Sequence, residues 1–203
     1  EAIEAWAISR MLQAIKLDLQ DFGIEMDRYA SELALVGSGR IQECFGELDE
    51  AGVLEDKDGA RWFASDRFGD EKARVLVKSD GSNTYFATDI AYHLDKLRRG
   101  FQRLINIWGA DHHGYVPRMK AALRALGQTD DALEVVLVQM VSLVRDGEPV
   151  ILSKRAGEIV TLRQVFEEVG RDAARFFFLV RSSDSQMEFD LELEKQKSLD
   201  NPV

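Results

Sequence analysis

Short apolar runs alternate with helical segments from about residue 83 onward, and this alternation limits the possible folds more than any other feature of the sequence. NTYFA (83–87), RLINIW (103–108) and LEVVLVQMVSLV (133–144) read as strands. Between them, DIAYHLDKLRR (89–99) and VPRMKAALRAL (116–126) carry apolar residues at helical spacing. The order strand, helix, strand, helix, strand is typical of parallel sheets with right-handed crossovers. The sequence therefore predicts an α/β fold for this part of the chain.

The residues before the alternation predict helices and hairpins instead. Residues 3–21 carry apolar side chains at helical spacing, and residues 38–52 predict a second helix that begins at Ser38. Asp58-Gly59 and Asp80-Gly81 each lie between short apolar runs, which is the pattern of a β-hairpin. We therefore expect a mixed region of helices and hairpins ahead of the parallel sheet.

Composition and charge exclude several classes of protein. No apolar run approaches the roughly 18 residues that a membrane-spanning helix needs, and the acidic residues 1–10 do not resemble a signal peptide. The single cysteine, Cys44, excludes an internal disulfide and is expected to be a packed side chain of a cytoplasmic protein. The net charge of −10 argues against binding of nucleic acid without sequence preference, although it leaves room for local basic pockets.

Polar stretches lie at or just beyond the C-terminal end of each predicted strand. They are Tyr85 to Asp89, then GADHHG (109–114), then VILSKRAG (150–157). The carboxyl ends of parallel strands meet at one edge of a sheet, and ligands bind at that edge in open α/β sheets. We therefore expect the three stretches to converge on one ligand site.

Two interpretations remain open for each of the first two stretches. Asp89 is either the N-cap of the following helix or a carboxylate that binds a cationic group such as a guanidinium, together with Tyr85 on the same strand face. Asp111, His112 and His113 are either a satisfied surface group or hydrogen-bond partners for a ribose or a purine. A zinc site is not expected, because zinc usually takes four ligands and the remaining histidine and cysteine lie in unrelated segments.

The third stretch is either a basic surface turn or a loop that holds phosphate. Ser153, Lys154 and Arg155 are followed by two small residues, which allow close approach of a ligand. A lysine ammonium near a transferring phosphoryl or nucleotidyl group stabilises the charge that develops there. The sequence contains neither a GxxxxGKS or GxxxxGKT phosphate loop nor a GxGxxG turn, which argues against a P-loop enzyme and a dehydrogenase.

Four segments that contain these residues, taken together, resemble the central part of bacterial arginyl-tRNA synthetases. They are YFATDIAYHLDK, INIWGADHHGYVPRMKAAL, LVRDGEPVILSKRAG and VGRDAARFFFLVRSSDS. The likeness runs from about Ile15 to Val203, with the same order and spacing of motifs. It implies a class I synthetase, which activates arginine with ATP to arginyl-adenylate and pyrophosphate and then transfers arginine to tRNA(Arg).

The resemblance also implies an arrangement of the chain. We expect the second half of a Rossmann-type parallel sheet, with a mixed helix and hairpin insertion before it and a helical extension after it. The insertion is assigned to residues 1–78 and the Rossmann half, including the SKRAG loop, to residues 79–169. Residues 170–203 are assigned to a helical connection toward an anticodon-binding domain.

Roles of individual residues follow from the resemblance. SKRAG matches the Lys-Met-Ser-Lys-Ser loop of the family, with Ile151 and Leu152 in place of its first lysine and its methionine and with Lys154 retained. The implied catalytic residues are Ser153 and Lys154. Contacts to arginine are implied for Tyr85, Asp89 and His112. Contacts to ATP, which enters with Mg²⁺, are implied for Gly109, Asp111, His113, Ser153, Lys154 and Arg155, and no structural metal is implied.

One motif that the resemblance leads us to expect is missing. Class I synthetases carry a His-Ile-Gly-His motif on the first half of the Rossmann fold, and no HxGH pattern occurs here, since His112-His113-Gly114 has the wrong order. We therefore expect a fragment that is inactive alone, from a full-length enzyme that is a cytoplasmic monomer without membrane partners. The alternatives are a truncated, non-catalytic paralogue that binds a nucleotide or an amino acid, and a nucleotidyltransferase of similar fold with another substrate.

Overall fold

The chain folds into two units, one of which is built from both of its ends. Tyr29–Val138 form one unit, and Glu1–Arg28 with Gln139–Val203 form the other. The computed structural model describes residues 2–145, 147–150 and 160–192. The functional segments predicted above, at 1–78, 79–169 and 170–203, divide the chain by role rather than by packing and stay a prediction.

The described chain contains both helices and strands. In order they are α1 (Ala2–Asp21), α2 (Glu32–Gly37), α3 (Arg40–Glu50), β1 (Leu54–Lys57), β2 (Ala60–Phe63), β3 (Arg74–Val77), α4 (Tyr85–Arg98), β4 (Leu104–Gly109), α5 (Val116–Ala125), β5 (Leu133–Val138), β6 (Val141–Arg145), β7 (Glu148–Pro149), α6 (Leu162–Val169), α7 (Arg171–Val180) and β8 (Met187–Asp190). Short 3₁₀ helices span Ser65–Phe68, Ala110–Tyr115 and Asp130–Ala132. Among the described residues, no helix has both the length and the apolar character needed to cross a membrane.

The antiparallel sheet of the Tyr29–Val138 unit has the strand order β1-β2-β3. Asp58 and Gly59 connect β1 to β2 with φ values of 54° and 74°, the left-handed conformation that a two-residue hairpin turn needs. This predicted hairpin is confirmed. The turn at Asp80-Gly81 leads only to an isolated bridge between Val77 and Asn83, so the second predicted hairpin lacks its returning strand.

β4 and β5 form the parallel pair that the alternation predicts. Their register runs from Leu104 opposite Leu133 to Gly109 opposite Val138, and α5 crosses between them. The α/β prediction is therefore confirmed for β4, α5 and β5. The core of this unit joins the parallel pair to the antiparallel region and includes Ile41, Cys44, Leu48, Phe63, Leu76, Phe86, Ile90, Leu104, Met119, Leu123 and Leu133.

NTYFA is not a strand, which corrects the first predicted boundary. The side chain of Thr84 accepts a hydrogen bond from the Ala87 N–H at 3.4 Å and so caps α4. Asp89, which the sequence offers as a possible N-cap, lies inside the helix. Tyrosine and phenylalanine favour strands, but the cap and the burial of Phe86 in the core outweigh that preference.

Two other predicted boundaries are also wrong. The apolar run 133–144 is two strands rather than one, because β5 belongs to one unit and β6 to the other. The chain leaves the β4–β5 sheet at Gln139, whose N–H donates to the Ser183 carbonyl at 2.8 Å. In the helix predicted over residues 38–52, Ser38 is the C-cap of α2, and Gly39 is the N-cap of α3.

In the other unit, the helix at the start of the chain packs against helices near its end. The ring of Phe22, just after α1, stacks on Phe166 of α6 with the ring centroids 5.5 Å apart. Arg163 of α6 forms ion pairs with Asp18 and Asp21, each at 2.7 Å. Residues separated by more than 140 positions in the chain are therefore held together by both apolar and charged contacts.

The remaining elements of this unit include one confirmed motif and one element that the sequence did not predict. The spacing of Thr161 and Gln164 predicts a capping box, and both of its hydrogen bonds are present at the start of α6. β6 pairs in parallel with β8, which was not predicted, and antiparallel with β7. The core of this unit contains Phe22, Val165, Phe166, Ala174, Phe177, Met187, Phe189 and Leu191.

Candidate functional site

One oxygen of the Asp89 carboxylate accepts a hydrogen bond within the described part of the protein, and the other does not. It lies in the second turn of α4, is half-buried, and accepts a hydrogen bond at Oδ2 from the Tyr115 hydroxyl at 2.7 Å. Oδ1 has no hydrogen-bond partner among the described residues. Tyr85 precedes Asp89 by four residues, so the two lie on one side of the helix, and Tyr85 is 84% exposed. The predicted pairing of these residues on a strand face is thus corrected to a pairing on a helix face.

The predicted loop after β4 is a 3₁₀ helix, Ala110–Tyr115. It exposes the side chains of Asp111, His112 and His113 directly beyond the carboxyl end of the parallel pair. His113 Nδ1 lies 3.2 Å from the Ala110 carbonyl oxygen, and His112 Nε2 lies 3.8 Å from Asp111 Oδ2. Two imidazoles and a carboxylate are therefore available to a ligand at this end of the sheet.

Gly109 matters because it has no side chain that would clash with Asp111. Its φ of −63° and ψ of 147° are open to any residue, so the backbone here does not require glycine. A Cβ at this position would lie 2.5 Å from Asp111 Oδ1. Any side chain at 109 would therefore push the Asp111 carboxylate aside.

A buried polar brace, which the sequence analysis missed, joins α4 to β4. His93 is 4% exposed, and its Nδ1 lies 2.7 Å from the Asp89 carbonyl oxygen. Its Nε2 lies 2.7 Å from Asn106 Nδ2. Because a carbonyl oxygen can only accept, Nδ1 carries the proton and donates, while Nε2 accepts from the Asn106 amide. The neutral ring therefore satisfies both neighbours and fixes the backbone at Asp89.

This brace predicts a loss of stability in mild acid. Burial lowers the pKa of His93 below its ordinary value of 6.5, more than its contact with the Asp89 carbonyl raises it. The unfolded chain therefore binds this proton more readily than the folded chain. Stability is constant above pH 6.5 as far as His93 is concerned. Below pH 6.5 it falls by at most about 1.4 kcal/mol per pH unit, until the pH passes the lowered pKa of the folded state. Denaturant midpoints measured by tryptophan fluorescence between pH 8 and pH 5 would reveal this slope.

The matched control replaces a histidine that is exposed. H93Q removes the buried titrating group and should flatten the pH dependence, whereas H112Q changes the same residue type on the surface and should leave the wild-type slope. Parallel curves for the wild-type chain and H93Q would show that His93 is not the titrating group.

A buried ion pair between Asp70 and Arg74 lies in the same unit and has a structural role. The Asp70 side chain is 1% exposed and accepts from Nε and Nη2 of Arg74, each at 2.7 Å. Burial alone raises the pKa of Asp70, but hydrogen bonds from Arg74, the Glu71 N–H and Ser65 outweigh it and lower the pKa to about 2. Arg118 Nε lies 4.0 Å from Asp70 Oδ2. The Arg118 guanidinium, which lies near Asp70, is 4.9 Å from the centroid of the Tyr115 ring, and Tyr115 in turn contacts Asp89.

The structure brings together some of the predicted residues. Asp89 of α4 is linked to the 3₁₀ helix after β4 through Tyr115, which the sequence analysis did not identify. The sequence gives no local signal for Tyr115, because its partner is 26 positions away. Asn106 did have a signal, as an amide in an otherwise apolar strand. Ser153, Lys154 and Arg155 lie outside the described residues, so their convergence with the other two stretches stays a prediction.

Within the parts of the chain that the structure describes, no group of three or more His, Cys, Asp and Glu side chains could hold a metal ion. The expectation of no structural metal stays a prediction. Cys44 is fully buried in the core, and burial raises the pKa of its thiol to about 12, so the predicted packing role is confirmed.

Comparison with known proteins identifies the family. Residues 7–196 match the family model of tRNA synthetases class I (R), catalytic domain. The chain is 55% identical over 197 residues to an arginine–tRNA ligase from Desulfosudis oleivorans, covering 97% of this chain and 35% of that protein. It is 54% identical over 193 residues to an arginine–tRNA ligase from Citrifermentans bemidjiense, covering 95% of this chain and 35% of that protein. The chain thus spans about a third of the length of the curated relatives that it matches.

Solved structures share the fold. A crystal structure from Campylobacter jejuni, assigned as an arginyl-tRNA synthetase, is 42% identical, with a TM-score of 0.90 over 99% of this chain and 44% of that chain. Thermus thermophilus arginyl-tRNA synthetase is 16% identical and shares the fold alone, with a TM-score of 0.73 over 97% of this chain and 43% of that chain. The predicted Rossmann-type α/β class and the resemblance are confirmed. The chain belongs to the family of class I (R) tRNA synthetase catalytic domains.

Proposed function

We propose that this chain is the part of an arginine–tRNA ligase that binds arginine and contributes to binding of ATP. The full-length enzyme would activate arginine to arginyl-adenylate and transfer it to tRNA(Arg). The observation that carries the proposal is the identity of 55% over 97% of the chain to a protein named arginine–tRNA ligase. The charge and burial of Asp89 agree with a cationic amino-acid side chain as the ligand.

Asp89 is the central residue of the proposed arginine site. A half-buried carboxylate with an open oxygen can form two parallel hydrogen bonds with a planar guanidinium, and these are stronger than bonds between neutral groups. Tyr85, one helical turn earlier, offers an exposed ring on which a guanidinium can stack. His112 is proposed as a third contact, from the 3₁₀ helix that follows β4.

The ATP site is proposed to combine two stretches. Gly109, Asp111 and His113 offer an open backbone and exposed polar side chains for the nucleoside. Ser153, Lys154 and Arg155 would hold the phosphates, a role supported by the sequence resemblance alone. Mg²⁺ would enter with the ATP phosphates, and no step of the proposal depends on a protein ligand to the metal.

The proposed reaction has two balanced steps. In the first, a carboxylate oxygen of arginine attacks the α-phosphorus of ATP, and the bond from that phosphorus to the bridging oxygen breaks, which releases pyrophosphate. In the second, a terminal ribose hydroxyl of tRNA(Arg) attacks the arginyl carbonyl carbon, loses its proton, and AMP leaves. The role of Lys154 is to stabilise the negative charge that shifts to pyrophosphate in the first step.

Arginine-dependent exchange of pyrophosphate into ATP tests the proposed function. A full-length protein that carries this segment should catalyse exchange with arginine and not with citrulline, which has the same shape but no charge on its side chain. Lysine, which is charged but lacks the planar fork, should support little exchange. Exchange with another amino acid and none with arginine would contradict the assignment.

The 203-residue chain alone provides the control for this experiment. Because its sequence contains no HxGH pattern, it should give no exchange with any amino acid. If the chain were instead a module that only binds ligands, titration would detect arginine or nucleotide binding while the full-length product of its gene lacked exchange. The proposal also assigns residues 1–78, 79–169 and 170–203 to the insertion, the Rossmann half and the helical connection of a monomeric, cytoplasmic enzyme.

A further inference from the structure

Tyr115 is held on three sides at the junction between the 3₁₀ helix Ala110–Tyr115 and α5. Its ring meets Phe86 of α4 edge to face, with the ring centroids 5.9 Å apart. It meets Trp108 of β4 in the same manner at 5.6 Å. The Arg118 guanidinium of α5 lies 4.9 Å from the ring centroid. Because α4, β4 and α5 all contact the ring, the position of its hydroxyl is fixed by the core of the unit.

The fixed hydroxyl determines the plane of the Asp89 carboxylate. The terminal torsion of an aspartate is broad, so an isolated carboxylate samples many orientations. Here the Tyr115 O–H donates to Oδ2 at 2.7 Å, while Oδ1 has no hydrogen-bond partner in the described part of the chain. The backbone at Asp89 is held as well, because its carbonyl accepts from the buried His93 ring at 2.7 Å. Both ends of the residue are therefore anchored before a ligand arrives.

We propose that Tyr115 is a positioning residue that orients the Asp89 carboxylate for the guanidinium group of arginine. This inference rests on the proposed function. A guanidinium forms two parallel hydrogen bonds to a carboxylate only when the carboxylate lies in the plane of the guanidinium. By fixing that plane in advance, Tyr115 removes the cost of orienting the carboxylate when arginine binds.

The hydroxyl remains a donor at the pH values at which such a reaction runs. Burial and the neighbouring Asp89 charge raise the pKa of Tyr115 above its ordinary value, so the phenol stays protonated. A donor that never ionises leaves the negative charge on Asp89. The carboxylate can then accept from Tyr115 and from a guanidinium at the same time, since each of its oxygens has two lone pairs.

The first test is Y115F in a full-length arginine–tRNA ligase that carries this segment. The ring and its contacts remain, and only the hydroxyl is lost. The arginine KM in pyrophosphate exchange should rise about 3- to 10-fold, the range that corresponds to one ordinary hydrogen bond. The kcat and the ATP KM should stay within about twofold of wild type, because Tyr115 acts only through arginine binding. An unchanged arginine KM would overturn the positioning role.

The matched control is Y92F. Tyr92 is on α4, the helix that carries Asp89. The Lys96 ammonium lies 4.3 Å from the centroid of its ring, and its hydroxyl has no hydrogen-bond partner among the described residues. Y92F should leave all kinetic constants at their wild-type values. If Y92F raised the arginine KM as much as Y115F does, the effect would come from loss of any hydroxyl near α4, and the specific role of Tyr115 would fail.

A double-variant cycle separates this inference from the proposed function. If Tyr115 acts through Asp89, D89N and D89N/Y115F should have the same arginine KM within about twofold. Multiplicative effects of the two substitutions would overturn the inference and leave the arginine site intact. If D89N alone leaves the arginine KM unchanged, the assignment of Asp89 in the proposed function is wrong, and the positioning role of Tyr115 falls with it.

Discussion

Replacing Lys154 with alanine in a full-length arginine–tRNA ligase that carries this segment is expected to slow arginyl-adenylate formation by about 10²–10³-fold. Negative charge moves onto the leaving pyrophosphate as the arginine carboxylate attacks the α-phosphorus, and an ammonium placed there stabilises the transition state more than the ground state. Ile151 stands where the related loop has its first lysine, so Lys154 is the lysine of the motif that remains. The rate of pyrophosphate exchange at saturating arginine and ATP measures the effect.

The control for Lys154 is an exposed lysine elsewhere. K57A, at the end of β1, removes the same charge from the surface and should change the rate by less than about twofold. A Lys154 variant with a raised ATP KM and an unchanged kcat would indicate that the lysine binds ATP without stabilising the transition state. A kcat within about twofold of wild type would therefore contradict the catalytic role proposed for it.

Elements marked by local signals were predictable from the sequence. The hairpin at Asp58-Gly59 follows from the left-handed conformation that this dipeptide adopts readily. The capping box at Thr161 and Gln164 depends on two residues three positions apart. The β4–α5–β5 unit follows from a change of period between 2 and 3.6, with a proline near the start of the helix. In each case the determining residues are neighbours in the chain.

The boundaries that failed depend on contacts distant in the chain. The apolar run 133–144 has strand character throughout, and the partner that ends the first strand, Ser183, lies more than 40 positions further on. The start of α4 also depends on contacts distant in the chain, because Phe86 packs against Phe63 and Tyr115. Tyr85 and Phe86 have strand propensity, and whether Thr84 acts as a cap depends on how Phe86 packs.

The residues of the candidate site also divide into those with a local signal in the sequence and those whose role depends on contacts distant in the chain. The exposed residues Asp111, His112 and His113 form a continuous polar stretch at a strand end, so the sequence could identify them. The pairing of Tyr85 with Asp89 was identified on wrong grounds, because a spacing of four places two residues on one face of a strand and also on one side of a helix. Tyr115 could not be identified, since its role appears only when α4 and the end of β4 are packed together.

Asp89 is the residue on which the proposed specificity depends, and D89N in the same full-length enzyme is expected to raise the arginine KM by about 10²-fold with little change in kcat. Asparagine keeps the shape of the side chain but replaces a charged, two-acceptor group with a neutral one that has a single acceptor oxygen. The guanidinium then loses both its ionic partner and one of its parallel hydrogen bonds. The control is D131N, since Asp131 is an exposed carboxylate of the same unit without an ion-pair partner in the described residues. Equal arginine KM values for D89N and D131N would remove Asp89 from the site, whereas a selective rise for D89N, accompanied by weak exchange with citrulline, would show that the charge of Asp89 selects arginine.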